Sequence, residues 1–373
     1  MITVKEVQSR KDLRRFVKFP FKLYKGSKYW VPPIIRQEMK TFNKKLNPVF
    51  KNADARYFLA YKDGKLAGRV AAIINWLEVD GQGIKKMRFG WFDFIDDQDV
   101  SRALLDEVEK IGRQQGLKFL EGPVGFSNLD KVGVMTEGFD EIGSMITWYN
   151  YPYYVDHYKR LGFEVAKKYQ ESRFPSDNIK PETFQKAQAL IKRRYKLKCL
   201  EFYTNKEIME YADDIFKVFT ASHSKLSSFV EINEEQREYF KRKFISFLNP
   251  EYVKFIANED GEIIAFAIIT PSYAQALQKI NGRLFPFGFR HLLHAKKYNR
   301  QTVFYLIGIV PEYQNKGVTA IIFDAFYKEV VKKKVTECIR GPELEDNIAI
   351  QKIWKHFNPE VFKRRCTFKR PIK

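Results

Sequence analysis

Two stretches of the chain alternate apolar and polar residues around an Asp-Gly pair. They are Phe58–Ile74, FLAYKDGKLAGRVAAII, and Phe255–Thr270, FIANEDGEIIAFAIIT. Alternation with a period of two is typical of a β-strand with one buried face, and Asp-Gly between two such runs is a strong hairpin signal. Each stretch is therefore predicted to form a β-hairpin that turns at its Asp-Gly pair.

The pattern that follows each hairpin is also shared. An apolar strand comes first, then a helix with apolar residues at three- and four-residue spacing, then a second strand that ends in Gly-Pro. These elements lie at 87–96, 100–116 and 117–123 in the first copy, and at 302–310, 318–334 and 335–342 in the second. The repeat predicts two mixed α/β units of one design, with a domain at 1–175, a connection at 176–200 and a domain at 201–373.

Charge and composition narrow the class of protein. The 373-residue chain has a formal net charge of +21, and residues 1–50 hold 13 Lys or Arg against 3 Asp or Glu, a net of +10 (13 − 3). Such a surface attracts an anionic membrane, a phosphate-bearing cofactor, a carrier protein or nucleic acid, although no nucleic-acid-binding motif supports the last. Three scattered cysteines without metal-ligand spacing, and no apolar run of about 18 residues, predict a cytoplasmic protein without a metal. Peripheral contact with the inner face of the membrane stays open.

The second copy carries an insertion at 271–301 that the first copy lacks. It mixes large apolar residues with basic ones: Phe285, Phe287, Phe289, Leu292, Leu293, Arg283, Arg290, His291, His294, Lys296, Lys297 and Arg300. Two interpretations stay open. The segment is either a loop and helix packed on the domain, or an interfacial amphipathic segment whose aromatic side chains enter lipid while its basic groups meet headgroups.

A strand–loop–helix junction in the second copy carries the candidate chemistry, IGIVPEYQNKGVTAIIFDAF at 307–326. The start of a helix presents unpaired backbone N–H groups, and a glycine there lets a pyrophosphate approach the backbone. The candidate binding residues are Gln314, Asn315, Lys316, Gly317, Val318 and Thr319. They resemble the acyl-CoA-binding motif of the GNAT acyltransferase superfamily, Gln/Arg-x-x-Gly-x-Gly/Ala, although Thr319 stands where Gly or Ala is usual.

Residues further along extend the resemblance. The stretch ELEDNIAIQKIWKHF resembles the final motif of the superfamily, so Asn347 and Trp354, at its asparagine and tyrosine positions, are candidate cofactor contacts. At the same junction the first copy has no glycine and three aspartates, Asp96, Asp97 and Asp99, which would repel a pyrophosphate. The resemblance implies an α/β protein of mixed sheet with two tandem GNAT folds, the first with a degenerate cofactor cradle.

The resemblance also implies the reaction: an acyl group passes from a thioester, acyl-CoA or acetyl-CoA, to an amine. The superfamily often binds the carbonyl oxygen through a backbone N–H on the strand before the cradle, here Ile309 or Val310. It often uses a tyrosine to protonate the leaving thiolate, and since Trp354 cannot do so, Tyr313 and His356 are candidates. Six side chains are candidate bases for the amine: Glu343 and Glu137 foremost, then Glu345, Asp346, Asp93 and His223.

An aromatic block at 122–163 supplies candidate acceptor-binding residues, Asn128, Tyr149, Asn150 and Tyr154. The block resembles bacterial tandem GNAT proteins and, more distantly, bacterial ceramide synthases, which N-acylate a long-chain sphingoid base. This implies transfer from acyl-CoA, or from an acyl carrier protein, to a small-molecule or lipid amine. Two alternatives stay open: an acetyl-CoA-dependent or aminoacyl-type transferase of a soluble amine, and a non-catalytic scaffold that binds an anionic partner.

Overall fold

The computed structural model describes residues 1–373 except 128, 224–228, 231, 246 and 247, and for Phe244 it describes the backbone alone. The strands are β1 (Ile2–Glu6), β2 (Ala53–Lys62), β3 (Lys65–Asn75), β4 (Lys86–Phe94), β5 (Phe119–Gly122), β6 (Val134–Glu137), β7 (Glu164–Pro175), β8 (Lys198–Leu200), β9 (Val253–Ala257), β10 (Ile263–Pro271), β11 (Gln301–Ile309), β12 (Glu337–Leu344) and β13 (Glu360–Pro371). The helices are α1 (Arg10–Leu23), α2 (Ile35–Thr41), α3 (Gln98–Gln114), α4 (Tyr153–Arg160), α5 (Glu182–Arg194), α6 (Asn205–Glu210), α7 (Ala212–His223), α8 (Glu234–Phe244), α9 (Ala274–Ile280), α10 (Gly288–Tyr298), α11 (Thr319–Lys333) and α12 (Ile348–Trp354). In the part of the chain that is described, each helix is too short or too polar to cross a bilayer.

The described chain divides into two compact units. The first unit holds residues 1–170, 273–292 and 362–373, and the second holds residues 171–272 and 293–361. Segments that are distant in sequence therefore complete the first unit. The two units group residues that contact one another in space. The predicted domains, 1–175 and 201–373, instead mark two copies of a fold along the sequence. The domain boundaries at 175 and 200 therefore stay a prediction.

The sheet of the first unit has the order β1-β2-β3-β4-β5-β13, in which only β4 and β5 run parallel. Strand β6 pairs with the earlier part of β13, from Arg364 to Cys366. Helix α3 buries an apolar face against this sheet, because its apolar residues recur every three or four positions from Val100 to Ile111. At Gly68 of β3 a Cβ atom would lie 2.7 Å from Leu104 Cδ1, so the glycine permits this close helix–sheet contact.

The sheet of the second unit has the order β12-β11-β10-β9-β8, in which only β11 and β12 run parallel. Helix α11 lies on it, and α5 packs against α11. One core cluster forms around Phe304, Phe323 and Trp354, which pack ring against ring. The segment predicted to be a connection thus supplies a packed helix, α5, to this unit.

The register of the strands confirms that the chain repeats one design. Both predicted hairpins are present, as β2–β3 and β9–β10. In each unit the strand before the candidate cradle also carries one extra residue, since β4 is bulged against β3 at Trp91–Phe92 and β11 against β10 at Tyr305. A bulge bends its strand and re-aims the residues beyond it. The bulge therefore lies at the same place in each copy, just before the junction.

Candidate functional site

Strands β11 and β12 pair over only part of their length. The parallel ladder joins Gln301–Phe304 to Glu337–Arg340, and beyond the bulge at Tyr305 it is not continued although both strands run on. A gap at one edge of β11 follows, beside the start of α11. Backbone groups of β11 in this gap are available to a ligand that enters along the strand.

One of the two predicted oxyanion donors faces this gap. Val310 N–H donates to Ile264 O at 3.0 Å, so it is already used by β10. Residues of an antiparallel pair alternate between bonding the partner strand and facing away from it. The N–H of Ile309 therefore points away from β10, toward the side that β12 has left. The geometry favours Ile309 over Val310 as the donor.

The loop Gln314–Val318 is the predicted cradle. Gln314 Nε2 donates to Ile309 O at 3.0 Å, which ties the loop to the strand. Among the described residues, no hydrogen bond is made by the backbone N–H groups of Asn315, Gly317, Val318 or Thr319. Helix α11 begins here without a side-chain cap. Exposed unpaired N–H groups at a helix start are the groups that bind a phosphate.

Glycine is required at position 317 for two reasons. Its φ of +76° is in the left-handed region, and a Cβ atom there would lie 2.6 Å from Ile191 Cδ1 of α5. Beside it, the Lys316 ammonium lies 5.3 Å from the Tyr195 ring centre and 5.0 Å from that of Tyr313. The two rings hold a positive charge at the cradle through cation–π contacts. The cradle residues thus fit a pyrophosphate, and Tyr313 supports the lysine.

At the corresponding junction of the first unit, the side chain of Asp97 occupies the start of the helix. Asp97 caps α3, accepting the N–H of Asp99 at 3.0 Å and of Val100 at 3.1 Å, and it pairs with Lys62. Beyond the ladder of Lys86–Arg88 with Phe119–Glu121, Val124 N–H also donates to Phe89 O at 2.8 Å, so the chain after β5 stays bonded to β4 up to the bulge. A carboxylate therefore holds the N–H groups that a phosphate would need. This geometry agrees with the three aspartates noted in the sequence.

The residues of the final motif have structural roles. Trp354 is only 1% exposed and lies in the aromatic core, so the structure does not place it at the cradle as predicted. Asn347 caps α12 by accepting the N–H of Ile350 at 3.3 Å. His356 lies exposed on the turn after α12, with no contact to the cradle among the described residues.

Glu343, the foremost candidate base, is held on both oxygens. Trp354 Nε1 donates to its Oε1 at 3.1 Å, and Arg340 pairs with its Oε2. Burial raises the pKa of Glu343, while the Arg340 guanidinium opposes that shift. Arg340 is in turn buried against the Trp354 ring, 5.1 Å from its centre. We interpret the group as a buried polar cluster that fixes the end of β12, where Glu345 and Asp346 follow in the turn.

His223 has the geometry of a base. Its Nδ1 lies 3.0 Å from the carbonyl oxygen of Phe219 and 2.8 Å from Ser222 Oγ. Because a carbonyl oxygen can only accept, the tautomer with the proton on Nδ1 satisfies Phe219 and leaves the lone pair on Nε2. Nε2 has no partner among the described residues, and burial lowers the pKa of the imidazole. The neighbouring Ser222 Oγ would lie 2.9 Å from a Cβ at Gly308, one residue before Ile309. The end of α7 is therefore beside the strand that carries the oxyanion donor.

The other acceptor-side candidates belong to the first unit and differ in their surroundings. Glu137 is 65% exposed and pairs with Arg364 at 3.1 Å. The side-chain amide of Asn150 bonds backbone groups: its Oδ1 accepts Met135 N–H at 2.7 Å and its Nδ2 donates to Met135 O at 3.1 Å. These hydrogen bonds give Asn150 a structural role in holding β6. Tyr154 is buried, 2.9 Å from the Tyr24 hydroxyl. Asn128 lies outside the described residues.

Tyr149 lines a small pocket in the first unit, with a cavity volume of about 20 Å³. Five of its thirteen wall residues are aromatic and four are charged: Pro20, Tyr24, Trp30, Val31, Pro33, Glu38, Arg69, Trp91, Asp93, Lys131, Thr147, Trp148 and Tyr149. Asp93, a predicted base, is fully engaged here, with Arg69 Nε at 2.7 Å on one oxygen and the Tyr24 hydroxyl at 2.8 Å on the other. Of these wall residues, the sequence analysis singled out Tyr149 and Asp93. No group of side chains placed to hold a metal ion occurs in the described residues.

Comparison with known proteins defines the fold. No protein family model matches the chain. A tandem GNAT protein from the clavulanic acid biosynthesis pathway superposes with a TM-score of 0.59 at 10% identity, covering 100% of this chain and 99% of that one. The chain has a tandem GNAT fold. This confirms the predicted fold class and the resemblance on which it was based. A probable N-acyltransferase from Enterococcus faecalis V583 shares the fold, with a TM-score of 0.51 at 10% identity, over 100% of this chain and 73% of that one.

Two curated relatives are similar to this chain in sequence. Protein YghO of Escherichia coli K12 is 25% identical over 380 residues, which cover 99% of this chain and 95% of YghO. The bacterial ceramide synthase of Caulobacter vibrioides is 23% identical over 300 residues, covering 79% of this chain and 77% of the synthase. The similarity to both relatives thus extends over both copies of the fold.

Proposed function

We propose that this protein is an N-acyltransferase that binds an acyl thioester at the cradle of its second unit and transfers the acyl group to a primary amine. One observation carries the proposal. The four free N–H groups of the loop at 315–319 lie next to the gap that β12 leaves along β11, in the one copy of the fold whose helix start has no side-chain cap. The loop suits a pyrophosphate and the gap suits the chain that links it to a thioester.

The residues around the gap suggest how the chain takes part in the reaction. The thioester supplies an electrophilic carbonyl carbon and a thiolate leaving group. Ile309 N–H is placed to bind the carbonyl oxygen as charge develops on it. His223 Nε2 accepts a proton from the acceptor ammonium, and the free amine then forms the C–N bond as the C–S bond breaks. The nitrogen releases its second proton to solvent, which balances the proton that the thiolate takes up. The thiolate leaves with the electron pair of the C–S bond, and Tyr313 is retained as a candidate proton donor to it.

We further propose a long-chain amine as acceptor and a fatty acyl thioester, carried by coenzyme A or an acyl carrier protein, as donor. The similarity to a protein named bacterial ceramide synthase supports this class. So does the inserted segment, where Phe285 and Phe287 are 68% and 64% exposed beside Arg283 and Arg290. Residues 263–311 contain no Asp or Glu, so the surface around these rings is basic. Exposed aromatic rings among cations favour an anionic bilayer surface.

Thermal unfolding with coenzyme A, acetyl-CoA and palmitoyl-CoA tests the donor site. A ligand present at 100 times its Kd stabilises the native state by about 2.7 kcal/mol, which is a measurable rise in Tm. We expect a rise with the thioesters in the wild type and none in Gly317→Glu, because a carboxylate would occupy the phosphate position. A larger rise with palmitoyl-CoA than with acetyl-CoA is expected for a fatty acyl donor.

Gly261→Glu is the matched control. Gly261 also has a left-handed φ, +84°, and no atom would contact its Cβ, but it lies in the β9–β10 turn. Both variants therefore put a side chain on a left-handed backbone, although only at position 317 does the new Cβ also meet Ile191. An equal thioester response in Gly317→Glu and Gly261→Glu would place the donor elsewhere, and no response in any variant would refute coenzyme A as the carrier.

A further inference from the structure

We propose that the solvent face of α1 is a second membrane-contacting surface, which attracts an anionic bilayer by charge and so holds the aromatic rings of the inserted segment against it. The proposal extends the bilayer contact suggested above for that segment, and it rests on this part of the proposed function. It does not involve the acyl donor cradle, since all of its residues belong to the first unit.

Helix α1 has an apolar face and a basic face. The apolar face packs in the core of the first unit, where Phe16 and Val17 share a cluster with Ile73 of β3. The opposite face carries basic residues at three- and four-residue spacing: Lys11, Arg14, Arg15, Lys18 and Lys22. Four of these side chains are exposed and Lys18 is half-buried. Because the apolar face is already packed, α1 offers a bilayer its charge and does not insert into it.

The basic face has few partners within the molecule. Arg15 pairs with Asp12 at 3.1 Å. In the described part of the chain, the other four basic residues of this face have no carboxylate oxygen within 4.0 Å. Like charges four residues apart, such as Lys18 and Lys22, destabilise a helix. The arrangement is therefore unfavourable in the free protein, and an anionic surface would relieve the repulsion.

Helix α3 shows that a face of one charge sign is not general to the first unit. It packs on the other face of the same sheet, because Val70 and Ala72 of β3 belong to its cluster whereas Ile73 belongs to that of α1. Its exposed charged residues include both signs: Asp99, Arg102, Asp106, Lys110 and Arg113. The single-sign surface is therefore a property of the side of the unit that carries α1.

The inserted segment packs against this same side of the first unit. Gln278 Nε2 donates to two carbonyl oxygens of the loop after α1, at 2.8 and 3.0 Å, and Ile35 N–H donates to Gly282 O at 3.1 Å. A Cβ atom at Gly282 would lie 2.6 Å from Phe21 Cζ of α1. Phe21 is three residues from Lys18 on the helix. The start of the inserted segment therefore borders the basic face.

Three exposed rings follow this contact and form an aromatic tip (Phe285, Phe287 and Phe289). The ring centres of Phe285 and Phe289 are 6.0 Å apart, and the Arg290 guanidinium lies 5.3 Å from the ring centre of Phe287. Stable attachment to a membrane commonly needs two signals, such as an apolar group and a polybasic surface. The aromatic tip supplies the first signal and α1 supplies the second, so an anionic bilayer fits both.

Flotation with lipid vesicles tests the proposal in the absence of any thioester. The wild-type protein is mixed with vesicles of phosphatidylcholine, alone or with phosphatidylglycerol, at low and at high salt. We expect binding to the anionic vesicles to be at least about tenfold tighter than to pure phosphatidylcholine, and to weaken as salt is raised.

Arg14→Gln/Lys22→Gln removes two charges from α1 and keeps good helix-forming residues. Each basic residue near an anionic surface strengthens binding about fivefold, so this variant is expected to bind anionic vesicles about 25-fold more weakly than the wild type. Arg102→Gln/Lys110→Gln on α3 removes the same two residue types from the other side of the sheet. This matched control is expected to bind as the wild type does. Unchanged melting temperatures and circular dichroism spectra are expected for both variants, since all four side chains are exposed.

An equal loss of binding in the two variants, equal binding to vesicles with and without phosphatidylglycerol, or no binding to either would overturn the proposal. So would a DNA duplex that binds the wild type more tightly than anionic vesicles do at the same salt and that loses affinity in the α1 variant, because nucleic acid would then be the partner. The thermal test of the donor site contains no vesicles, so each of the two proposals can fail while the other stands.

Discussion

Replacing Arg340 with methionine is expected to destabilise the second unit far more than replacing Arg364 with methionine destabilises the first. Each arginine pairs with a glutamate that the sequence singled out as a candidate base, Glu343 or Glu137. The two pairs differ mainly in burial. They therefore test whether burial, and not the presence of an ion pair, determines how much each residue contributes to the free energy of unfolding.

The magnitudes follow from exposure. The side chains of Arg340 and Glu343 are 2% and 17% exposed, whereas those of Arg364 and Glu137 are 38% and 65% exposed. Removing one partner of a buried pair leaves an uncompensated charge and costs about 3–5 kcal/mol. An exposed pair contributes about 0–1 kcal/mol. Arg340→Met also loses the contact with the Trp354 ring, so we expect a cost of about 3 kcal/mol or more, against less than about 1 kcal/mol for Arg364→Met.

The assay is urea unfolding followed by circular dichroism and tryptophan fluorescence, with free energies taken from midpoint and slope. The single variant Glu343→Leu and the double variant Arg340→Met/Glu343→Leu complete a double-mutant cycle. Because the double variant removes both charges, it is expected to be more stable than Arg340→Met alone, with a coupling energy of about 2–3 kcal/mol.

A cost below about 1 kcal/mol for Arg340→Met, or a double variant no more stable than the single one, would refute this reasoning. Either result would mean that Glu343 does not depend on Arg340 for its place in the fold. The carboxylate would then again be a candidate base for acyl transfer.

Two further predictions concern the proposed reaction. His223→Asn is expected to lower the rate of coenzyme A release from palmitoyl-CoA, with a long-chain amine as acceptor, by about 100-fold or more. The wild-type rate should rise with pH through a pKa below the usual histidine value, because burial lowers the pKa of His223. That pH dependence should vanish in the variant. An unchanged rate or pH profile would exclude His223 as the base. Phe285→Ser/Phe287→Ser is expected to weaken binding to phosphatidylglycerol vesicles about tenfold or more, because each ring contributes about 1.5–3 kcal/mol when buried. Leu190→Ser, at a similarly exposed position of α5, should bind the vesicles as the wild type does. Equal binding by all three proteins would argue against the inserted segment as the membrane contact.

Local patterns were sufficient for the hairpins and the strand–helix junctions, because each depends on residues close together in sequence. The pocket lined by Tyr149 was not predictable in the same way. Its wall residues come from α1, β3, β4 and the loop at Lys131, and contacts between segments far apart in sequence bring them together. The gap along β11 could not be predicted for the same reason. It arises from the bulge at Tyr305 and from the end of the β11–β12 pairing at Phe304 and Arg340.

Trp354 shows that one residue can fit two patterns. Its position relative to Asn347 matches the superfamily pattern, which predicts a contact with a cofactor, and that contact stays a prediction. The residues Ile350, Ile353, Trp354 and Phe357 recur at three- and four-residue spacing, which predicts a single apolar face. That face packs into the core of the second unit, and the tryptophan lies within it. The apolar periodicity therefore accounts for the burial of Trp354.

The last strand, β13, has a consequence for the timing of folding during synthesis. Its residues Phe368–Pro371 pair with β5, and Arg370 bonds Glu109, which is 261 residues earlier in the chain. At a synthesis rate of about 5–20 residues per second, that interval lasts roughly 10 to 50 s. During this time the nascent first unit presents one edge of β5 without its partner strand. An unpaired edge is a site of wrong association, so this chain has a period on the ribosome when a chaperone is of most use to it.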